Sequence, residues 1–324
     1  MGYRCHALLS DISSEGFSAK GLKQLTGSTR RFPHRLEMNQ KDIVVEQTAA
    51  APRMSISGVQ DKISLVLNRG ELQRAELNGE YILKPVPGSR HLHLVDDAPA
   101  NEHLTMQLAS QLFDIETAAN GCLHLSDGSM AYVTRRFDYR DGAKIAQEDF
   151  CQLSQRSPET HGEGYKYNGT YEEMGRLLKK HCSAYPVEIE KLFRLIVFNY
   201  AISNGDAHLK NFSMYQSPYG DYILTPAYDL LCSSMHVPNE SRTALELFDD
   251  YETTYYKTNG FYGREDFMEL ACRYGIPENR ADKIISRFHE QKDEVYDMIS
   301  RSFLSSHGQA DYLDRYNDRL NALK

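Results

Sequence analysis

The stretch that decides the fold reads Asn-Gly-Asp-Ala-His-Leu-Lys-Asn at residues 204–211. A second run, Thr-Pro-Ala-Tyr-Asp, follows at residues 225–229. Two β-rich runs lie between them and flank the turn-forming sequence at residues 217–221, so the segment predicts a β-hairpin. Because a hairpin returns the chain to where it began, we expect Asn211 and Asp229 to lie near each other.

Asp206 lies on the loop that leads into this hairpin. An Asp followed five residues later by an Asn, with a second Asp beyond a hairpin, is the spacing with which protein kinases arrange a catalytic base and two Mg²⁺ ligands. Mg²⁺ is a hard cation that one or two carboxylates and substrate phosphates hold. Turn chemistry alone explains either Asp206 or Asp229, but the set with Asn211 favours phosphoryl transfer.

Two further side chains of the loop are candidates for the same chemistry. Lys210 lies between the predicted base and the predicted metal ligand, where a cation neutralises charge that develops on a transferred phosphoryl group. His208 either contacts a phosphate or positions the loop, and the sequence leaves both readings open. The apolar helix predicted over residues 187–203 is expected to be buried and to give the loop a rigid base.

Composition narrows the class of protein. At 324 residues the chain is long for one core and suits two lobes that share a cleft. The net charge of −8 argues against broad binding to nucleic acid or to an anionic membrane. Six scattered cysteines without a C-x-x-C pair predict reduced thiols rather than a disulfide framework or a zinc site. With no apolar run of the roughly 20 residues that a span needs, we expect a cytoplasmic bacterial protein, and the sequence neither supports nor excludes export.

The order of strands and helices predicts an α+β, bilobal, protein-kinase-like fold. We expect an N-terminal extension over 1–50, a β-rich N-lobe over 51–137 and a mostly helical C-lobe over 138–324. The predicted strands are 62–67, 71–76, 80–84, 121–125 and 130–134, with the hairpin strands at 211–216 and 222–225. The predicted helices are 99–113, 170–180, 187–203, 264–274, 277–302 and 309–323.

A kinase N-lobe must supply a cation for the nucleotide phosphates. Lys84 ends the strand-like run Tyr-Ile-Leu at residues 81–83, which is the position of the strand lysine in kinases. Its expected partner is Glu102, on the first turn of the predicted N-lobe helix. The plainer alternatives are that Lys84 is a solvated strand residue and that Glu102 only favours the helix dipole.

The loop that covers the phosphates is expected before Lys84, at Met-Ser-Ile-Ser-Gly-Val-Gln-Asp-Lys over residues 54–62. It has one glycine, Gly58, so the pattern alone is weak. Ser55 and Ser57 either bond phosphate oxygens or accept a phosphoryl group, whose added charge of about −1.5 to −2 would repel nucleotide. The alternative is an ordinary loop with serine as a turn residue.

Together these segments resemble the HipA-type serine/threonine kinases, bacterial toxins of toxin-antitoxin systems with a fold related to phosphoinositide kinases. Seven ordered blocks carry the resemblance: S-I-S-G-V-Q-D-K at 55–62, Y-I-L-K-P at 81–85, N-E-H at 101–103, R-R-F-D at 135–138, Q-E-D-F-C-Q at 147–152, N-G-D-A-H-L-K-N-F-S at 204–213 and L-T-P-A-Y-D-L at 224–230.

The resemblance implies roles for residues that spacing alone does not assign. It implies ATP as cofactor, with its phosphates held by Lys84, and Mg²⁺ on Asn211 and Asp229, with Asp206 as catalytic base. The ATP site would include the following further residues: Ser57, Gly58, Glu102, Arg135, Phe137 and Gln147. Of these, the segment from Arg135 to Phe137 would meet the adenine through backbone groups. Ser55 falls where longer members carry a serine whose autophosphorylation ejects the ATP-binding loop.

The chain is most similar to HipT, the short kinase of three-component HipBST systems. Longer members begin with an additional subdomain for which this chain has no room, and in the HipT systems a separate small antitoxin replaces it. The resemblance implies such a HipS-like partner, a DNA-binding HipB-like antitoxin, and phosphorylation of both Ser55 and Ser57. The implied substrate is an aminoacyl-tRNA synthetase. Direct contact with nucleic acid or membrane is not expected.

We therefore predict an ATP- and Mg²⁺-dependent serine/threonine protein kinase that inhibits growth. A small-molecule or lipid phosphotransferase on the same fold is the alternative enzyme, and a secreted effector kinase is a further one. A binding module that retains the kinase shape would bind nucleotide without turnover. The sequence does not identify the substrate, the antitoxins or the oligomeric state.

Overall fold

A computed structural model describes residues 2–28, 31–40, 62–76, 78–89, 91–140 and 143–324. Within these ranges the chain is an α+β protein, in which a β-sheet near the N-terminus is followed by a mostly helical part. The predicted phosphate loop, with Ser55, Ser57 and Gly58, lies outside the described residues.

The strands of the described residues are, in chain order, β1 (Tyr3–Arg4), β2 (Asp11–Ile12), β3 (Arg35–Leu36), β4 (Ile63–Asn68), β5 (Glu71–Arg74), β6 (Tyr81–Lys84), β7 (Asn120–Leu125), β8 (Met130–Arg135), β9 (Tyr139–Arg140), β10 (Ala143–Lys144), β11 (Gln147–Asp149), β12 (Ser213–Gln216) and β13 (Tyr222–Leu224). The largest sheet of the described chain has the order β3-β7-β8-β6-β4-β5. All its pairs are antiparallel except β3 with β7. The strands predicted for the N-lobe are confirmed, with small shifts at their ends.

The sheet follows from alternating burial. Ile63 and Leu65 of β4 are buried while the residues between and after them are partly exposed, as period-two strands require. Leu83 of β6 and Val133 of β8 join them in one apolar cluster and are fully buried. Because β6 lies between β8 and β4, the end of this strand is in the interior of the sheet.

The helices of the described residues are α1 (Ala19–Thr26), α2 (Ala98–Leu112), α3 (Phe150–Leu153), α4 (Pro158–His161), α5 (Tyr171–His181), α6 (Tyr185–Ala201), α7 (Thr254–Asn259), α8 (Arg264–Arg273), α9 (Glu278–Glu290), α10 (Lys292–Arg301) and α11 (Ser306–Ala322). Helix α2 is buried along nearly its whole length. The reason is that β7 and β8 cover one side of it while α10 packs against it as well.

The first 40 residues contribute more to the sheet than their composition predicted. Strand β3 pairs with β7, and Leu25 of α1 lies with Phe32 and Leu36 in the apolar cluster of the sheet. A strand of two residues carries no periodicity, so the sequence did not reveal it. The predicted division at residues 50 and 137 stays a prediction.

The helix predicted over residues 277–302 is wrong in one respect, because the structure contains two helices there. Helix α9 ends and α10 begins around Gln291, whose backbone leaves the helical conformation. No Gly or Pro marks the position, so sequence patterns did not show the break. Phe288 before the break and Val295 after it both lie in the core, and neither is exposed.

The predicted hairpin is confirmed. Strands β12 and β13 pair antiparallel, and β11 pairs with the other side of β12. The strand begins at Ser213, so Asn211 lies in the 3₁₀ turn Leu209–Asn211 just before it, not on the strand as the pattern predicted. The hairpin is closed beyond its strands by a bond in which Thr225 N donates to the Ser213 carbonyl at 2.9 Å.

All six cysteines lie in the described ranges, where each is a free thiol. Among the described residues, no helix has both the length and the apolar character needed to cross a membrane.

Candidate active site

Helix α6 supports the predicted catalytic loop. Its apolar residues are almost all buried, which confirms the expected burial of this helix. A hydrogen bond joins the last turn of the helix to the loop: Asn204 Nδ2 donates to Asn199 Oδ1 at 2.7 Å. Asn204 Oδ1 in turn accepts from the backbone N–H of Asp206 at 3.2 Å. This Asx-type bond holds the backbone of the predicted base.

Gly205 is required by a close approach of backbone. A Cβ at this position would lie 2.3 Å from the Ser241 carbonyl oxygen, so any side chain would force the two segments apart. The N–H of Gly205 donates to Glu240 Oε1 at 3.1 Å. Burial raises the pKa of Glu240 to about 7, while bonds from Ser233 and Gly205 oppose that rise. The Glu240 carboxyl group therefore holds the backbone of the loop, and sequence spacing did not predict this contact.

The carboxylate of Asp206 is half-buried and accepts a hydrogen bond from the Tyr167 hydroxyl at 2.5 Å. Burial, together with this bond, raises the pKa of Tyr167, so the phenol stays protonated and donates. Tyr167 itself is 40% exposed. It lies 39 residues before Asp206, and no motif connects the two positions, so sequence analysis missed it.

His208 is buried beside this pair. Its ring meets the Tyr167 ring edge-on, with centroids 5.2 Å apart. Burial lowers the pKa of His208 to about 4, so the imidazole is neutral at pH 7. The backbone N–H of His208 donates to the Asp206 carbonyl at 2.8 Å. Of the two roles left open above, a neutral, buried ring favours positioning of the loop over cationic contact with phosphate.

Lys210 directs its ammonium to Asp149, with Nζ to Oδ2 at 2.6 Å. Asp149 ends β11 and caps α3, where it forms a capping box with Gln152. The Lys210 side chain remains 39% exposed. Its charge is thus shared with a carboxylate that the sequence analysis did not connect to it.

The segment that carries Asp229 is tied back to the loop that carries Asn211. The Tyr228 hydroxyl donates to the Lys210 carbonyl at 2.8 Å, which ties the residue before Asp229 to the residue before Asn211. The Oδ1 atom of Asn211 is buried and has no hydrogen-bond partner among the described residues. Asp229 adopts a positive φ of 54°, a backbone conformation that Asp tolerates better than most residues and that clusters at functional sites.

Lys84 joins the sheet to the hairpin. Its Nζ lies 2.5 Å from Glu102 Oε1 and also contacts Asp229 Oδ1. The expected ion pair between Lys84 and Glu102 is therefore present, and Lys84 is not a solvated residue, since it is 5% exposed on an interior strand. Lys62 approaches from the edge of the described chain, with Nζ 3.9 Å from Asp229 Oδ2.

These buried charges depend on one another. Burial alone would lower the pKa of Lys84, but Asp229 and Glu102 raise it above its usual range. Burial would raise the pKa of Asp229, but Lys84 and Lys62 hold it well below its usual range. Burial raises the pKa of Glu102, Lys84 opposes that rise, and the nearby negative charge of Asp229 adds to it. Lys84 is thus charged and fixed between two carboxylates.

The three residues predicted near the adenine lie in two places. Phe137 contacts the ring of Tyr215, and Gln147 is the β11 residue paired opposite Tyr215, so these two share one surface. Gln147 Oε1 is buried without a partner among the described residues. The Arg135 guanidinium lies instead against Gly27, at the end of α1, and its backbone N–H donates to the Ala119 carbonyl at 2.7 Å.

A β-rich part with a buried Lys–Glu pair, connected to a helical part that carries a loop and a hairpin, is the bilobal kinase-like α+β fold. The sequence model of the HipA-like C-terminal domain matches residues 54–296, which is most of the chain. The chain belongs to the HipA-like C-terminal domain family.

Similar proteins agree with this assignment. A Haemophilus influenzae protein named "Putative kinase" is 27% identical over 98% of this chain and 97% of its own length. The Shewanella oneidensis serine/threonine-protein kinase toxin HipA is 29% identical, and the match spans 62% of this chain and 48% of that protein. Thus the chain aligns with the whole Haemophilus protein but with about half of the toxin.

Two solved structures share the fold. HipA of S. oneidensis, in a complex with HipB and operator DNA, superposes with a TM-score of 0.63 at 22% identity and covers 87% of this chain and 69% of that one. The Helicobacter pylori proinflammatory kinase CtkA has a TM-score of 0.53 at 13% identity, and the match covers 80% of this chain and 93% of that one. At these identities the likeness establishes a HipA-like kinase fold.

Proposed function

We propose that this protein is a serine/threonine protein kinase that uses ATP and Mg²⁺. The observation that carries the proposal is the ammonium of Lys84 between Glu102 and Asp229. Active protein kinases need a strand lysine paired with a helix glutamate and a metal-binding aspartate in place at the same time. Here both carboxylates already contact the same lysine.

The residues at the site fit a divalent cation and a nucleotide. Asn211 Oδ1 is a buried oxygen without a partner in the described chain, as expected for an atom that a hard cation completes. Asn211 and Asp229 would hold Mg²⁺, and Lys84 would hold the ATP phosphates. ATP would supply the phosphoryl group, and Mg²⁺ would neutralise its charge. Gln147 and Phe137, with the backbone near Arg135, would line the adenine side, and Ser57 and Gly58 the phosphate side.

Asp206 would orient the acceptor hydroxyl and accept its proton. Tyr167 donates to one oxygen of the carboxylate and would leave the other for the substrate. His208, neutral and buried, would hold the loop. Lys210 would stabilise negative charge on the transferred group, while the ion pair with Asp149 partly neutralises the Lys210 ammonium.

We further propose that the kinase is a bacterial growth-inhibiting toxin that acts on an aminoacyl-tRNA synthetase. Family membership and similarity to a toxin kinase support this reading. Ser55 and Ser57 would accept phosphate from the same site and limit activity. A small HipS-like antitoxin and a DNA-binding HipB-like antitoxin would be its partners, by analogy with HipA, whose solved structure contains HipB.

The test is phosphoproteomics after brief expression, with Asp206→Asn as the matched inactive control. We expect new phosphoserine on a synthetase with the active protein and none with the control. Identical phosphoproteomes would overturn the proposed kinase activity. Label from γ-labelled ATP on a metabolite or a lipid, in the absence of labelled protein, would identify a different phosphotransferase.

Autophosphorylation is tested separately by intact mass. After incubation with ATP and Mg²⁺ we expect added phosphate on the wild-type chain and none when both Ser55→Ala and Ser57→Ala are present. An unchanged wild-type mass, in a preparation that phosphorylates its substrate, would contradict self-limitation while the kinase proposal stands.

A further inference from the structure

A cluster of metal-binding side chains lies outside the candidate active site. His6, Glu15 and His124 each offer one ligand atom, and the three atoms all lie within 4.8 Å of one another. His6 is 3% exposed, whereas Glu15 and His124 are partly exposed. The three residues come from the segment after β1, the segment after β2 and strand β7. This set therefore connects the first residues of the chain to the sheet.

The backbone around the cluster is interlocked. His6 N donates to the Gly16 carbonyl at 2.9 Å, and Cys122 N donates to the His6 carbonyl at 2.8 Å. His124 N donates to the His34 carbonyl at 2.9 Å. These bonds hold the positions of the side chains before any ligand arrives, which reduces the entropy lost on binding.

The tautomer of His6 suits metal binding. Its Nδ1 lies 3.2 Å from the Cys122 carbonyl and donates to it, which leaves the lone pair on Nε2. Metal-binding histidines commonly donate the other ring N–H to a backbone carbonyl in this way.

The carboxylate of Glu15 is also held by an outer partner. Arg35 Nη2 donates to Glu15 Oε1 at 3.0 Å and to Oε2 at 3.1 Å. Glu15 Oε1 lies 3.9 Å from His124 Nε2. Phe17 and Phe303 pack edge-on against the His6 ring, with centroids 5.6 and 5.3 Å away, and shield that side from water. An ionised oxygen and two imidazoles thus share one small space.

We propose that His6, Glu15 and His124 bind a divalent transition-metal ion, with Zn²⁺ as the best fit, and leave a fourth position for water. Imidazole nitrogens with one carboxylate oxygen favour zinc over the hard cation Mg²⁺. Zinc bonds of about 2.0 to 2.2 Å require the ligand atoms to approach one another by about 1 Å or more, which the partly exposed Glu15 and His124 side chains permit. The ion would fasten the N-terminal segment to β7.

The experiment titrates Zn²⁺ alone, in competition with a chromophoric chelator, into the full-length protein freed of any affinity tag. We expect about one tight equivalent per chain. His124→Gln and Glu15→Gln should each weaken binding by about tenfold or more. The matched control is His181→Gln, an exposed histidine outside the cluster, which should bind zinc as the wild type does.

A second control separates this site from the candidate active site, whose carboxylates also attract cations. Asp206→Asn should leave the tight zinc site unchanged. Zinc should also raise the unfolding temperature of the wild type but not of His124→Gln. Equal zinc binding by the wild type and His124→Gln, or loss of the tight site in Asp206→Asn, would overturn the proposal. Neither result bears on the kinase proposal.

Discussion

The two charged centres of the candidate active site differ in how they are held. The side chains of Lys84, Glu102 and Asp229 are 6%, 2% and 18% exposed, and each depends on the others for its charge. Asp206 is half-buried, and it is held by one tyrosine and by its own loop. The first centre joins residues up to 145 positions apart through one shared ammonium, whereas the second is held by its own loop and by a hydrogen bond from Tyr167, 39 residues earlier in the chain. Substitutions at the first centre should therefore lower stability and activity together. Substitutions at the second should lower activity with little loss of stability.

The largest expected effect tests the second centre. Asp206→Asn keeps the shape of the side chain and removes the base, so phosphoryl transfer should fall by about 10² to 10⁴-fold. Stability should stay within about 0.5 kcal/mol of the wild type, because the group is not part of a buried ion pair. Paired kinase assays and urea unfolding measure both. A destabilised but active variant would reverse the comparison.

The next effect tests the first centre. Lys84→Met removes the ammonium that contacts both Glu102 and Asp229 and leaves Asp229 with the longer contact to Lys62 at 3.9 Å. The loss should cost about 3 to 5 kcal/mol of unfolding free energy and abolish phosphoryl transfer. Lys180→Met, at an exposed lysine, is the matched control and should change neither. Urea unfolding at pH 7 measures the difference. Were Lys84→Met as stable as the control, the buried charges would not be coupled to the fold.

A smaller effect is expected at the contact between Tyr167 and the predicted base. Tyr167→Phe removes one hydrogen bond to the carboxylate of the predicted base, so kcat should fall by roughly tenfold or somewhat more. The unfolding free energy should fall by at most about 1.5 kcal/mol, because Tyr167 is 40% exposed and water can replace its hydroxyl as the donor. Tyr219→Phe is the control, since that side chain is 95% exposed. Steady-state kinetics with saturating ATP give the result. If kcat were unchanged, Tyr167 would have no part in holding Asp206.

The remaining effect is on stability alone and concerns pH. Burial raises the pKa of Glu240 from 4.5 to about 7, so the folded protein binds this proton more tightly than the unfolded chain does. The unfolding free energy should therefore fall as pH rises between about 4.5 and 7, through this residue. Glu240→Gln should flatten that slope. Urea titrations across this window compare the two, and parallel curves would show that Glu240 ionises freely.

The sequence alone predicted much of the fold and part of the site. Strands and helices with clear periodicity were predicted within a few residues, because the spacing of apolar residues along a short stretch of sequence indicates them. Strand β3, with two residues, and the break at Gln291 have no such signal. Tyr167 and Glu240 approach the catalytic loop from separate segments, so no local spacing predicted their contacts.

The difference between local signals and long-range contacts also separates the residues of the candidate site. The sequence by itself determined that Asp206, Asn211 and Asp229 belong to one loop and hairpin, because a hairpin closes through bonds between residues close in the chain. Only the tertiary structure decided that Lys84, whose partner Glu102 was expected, also contacts Asp229, 145 residues away. It likewise brought His6 beside His124. Long-range contacts of this kind depend on how whole elements pack, which no local pattern encodes.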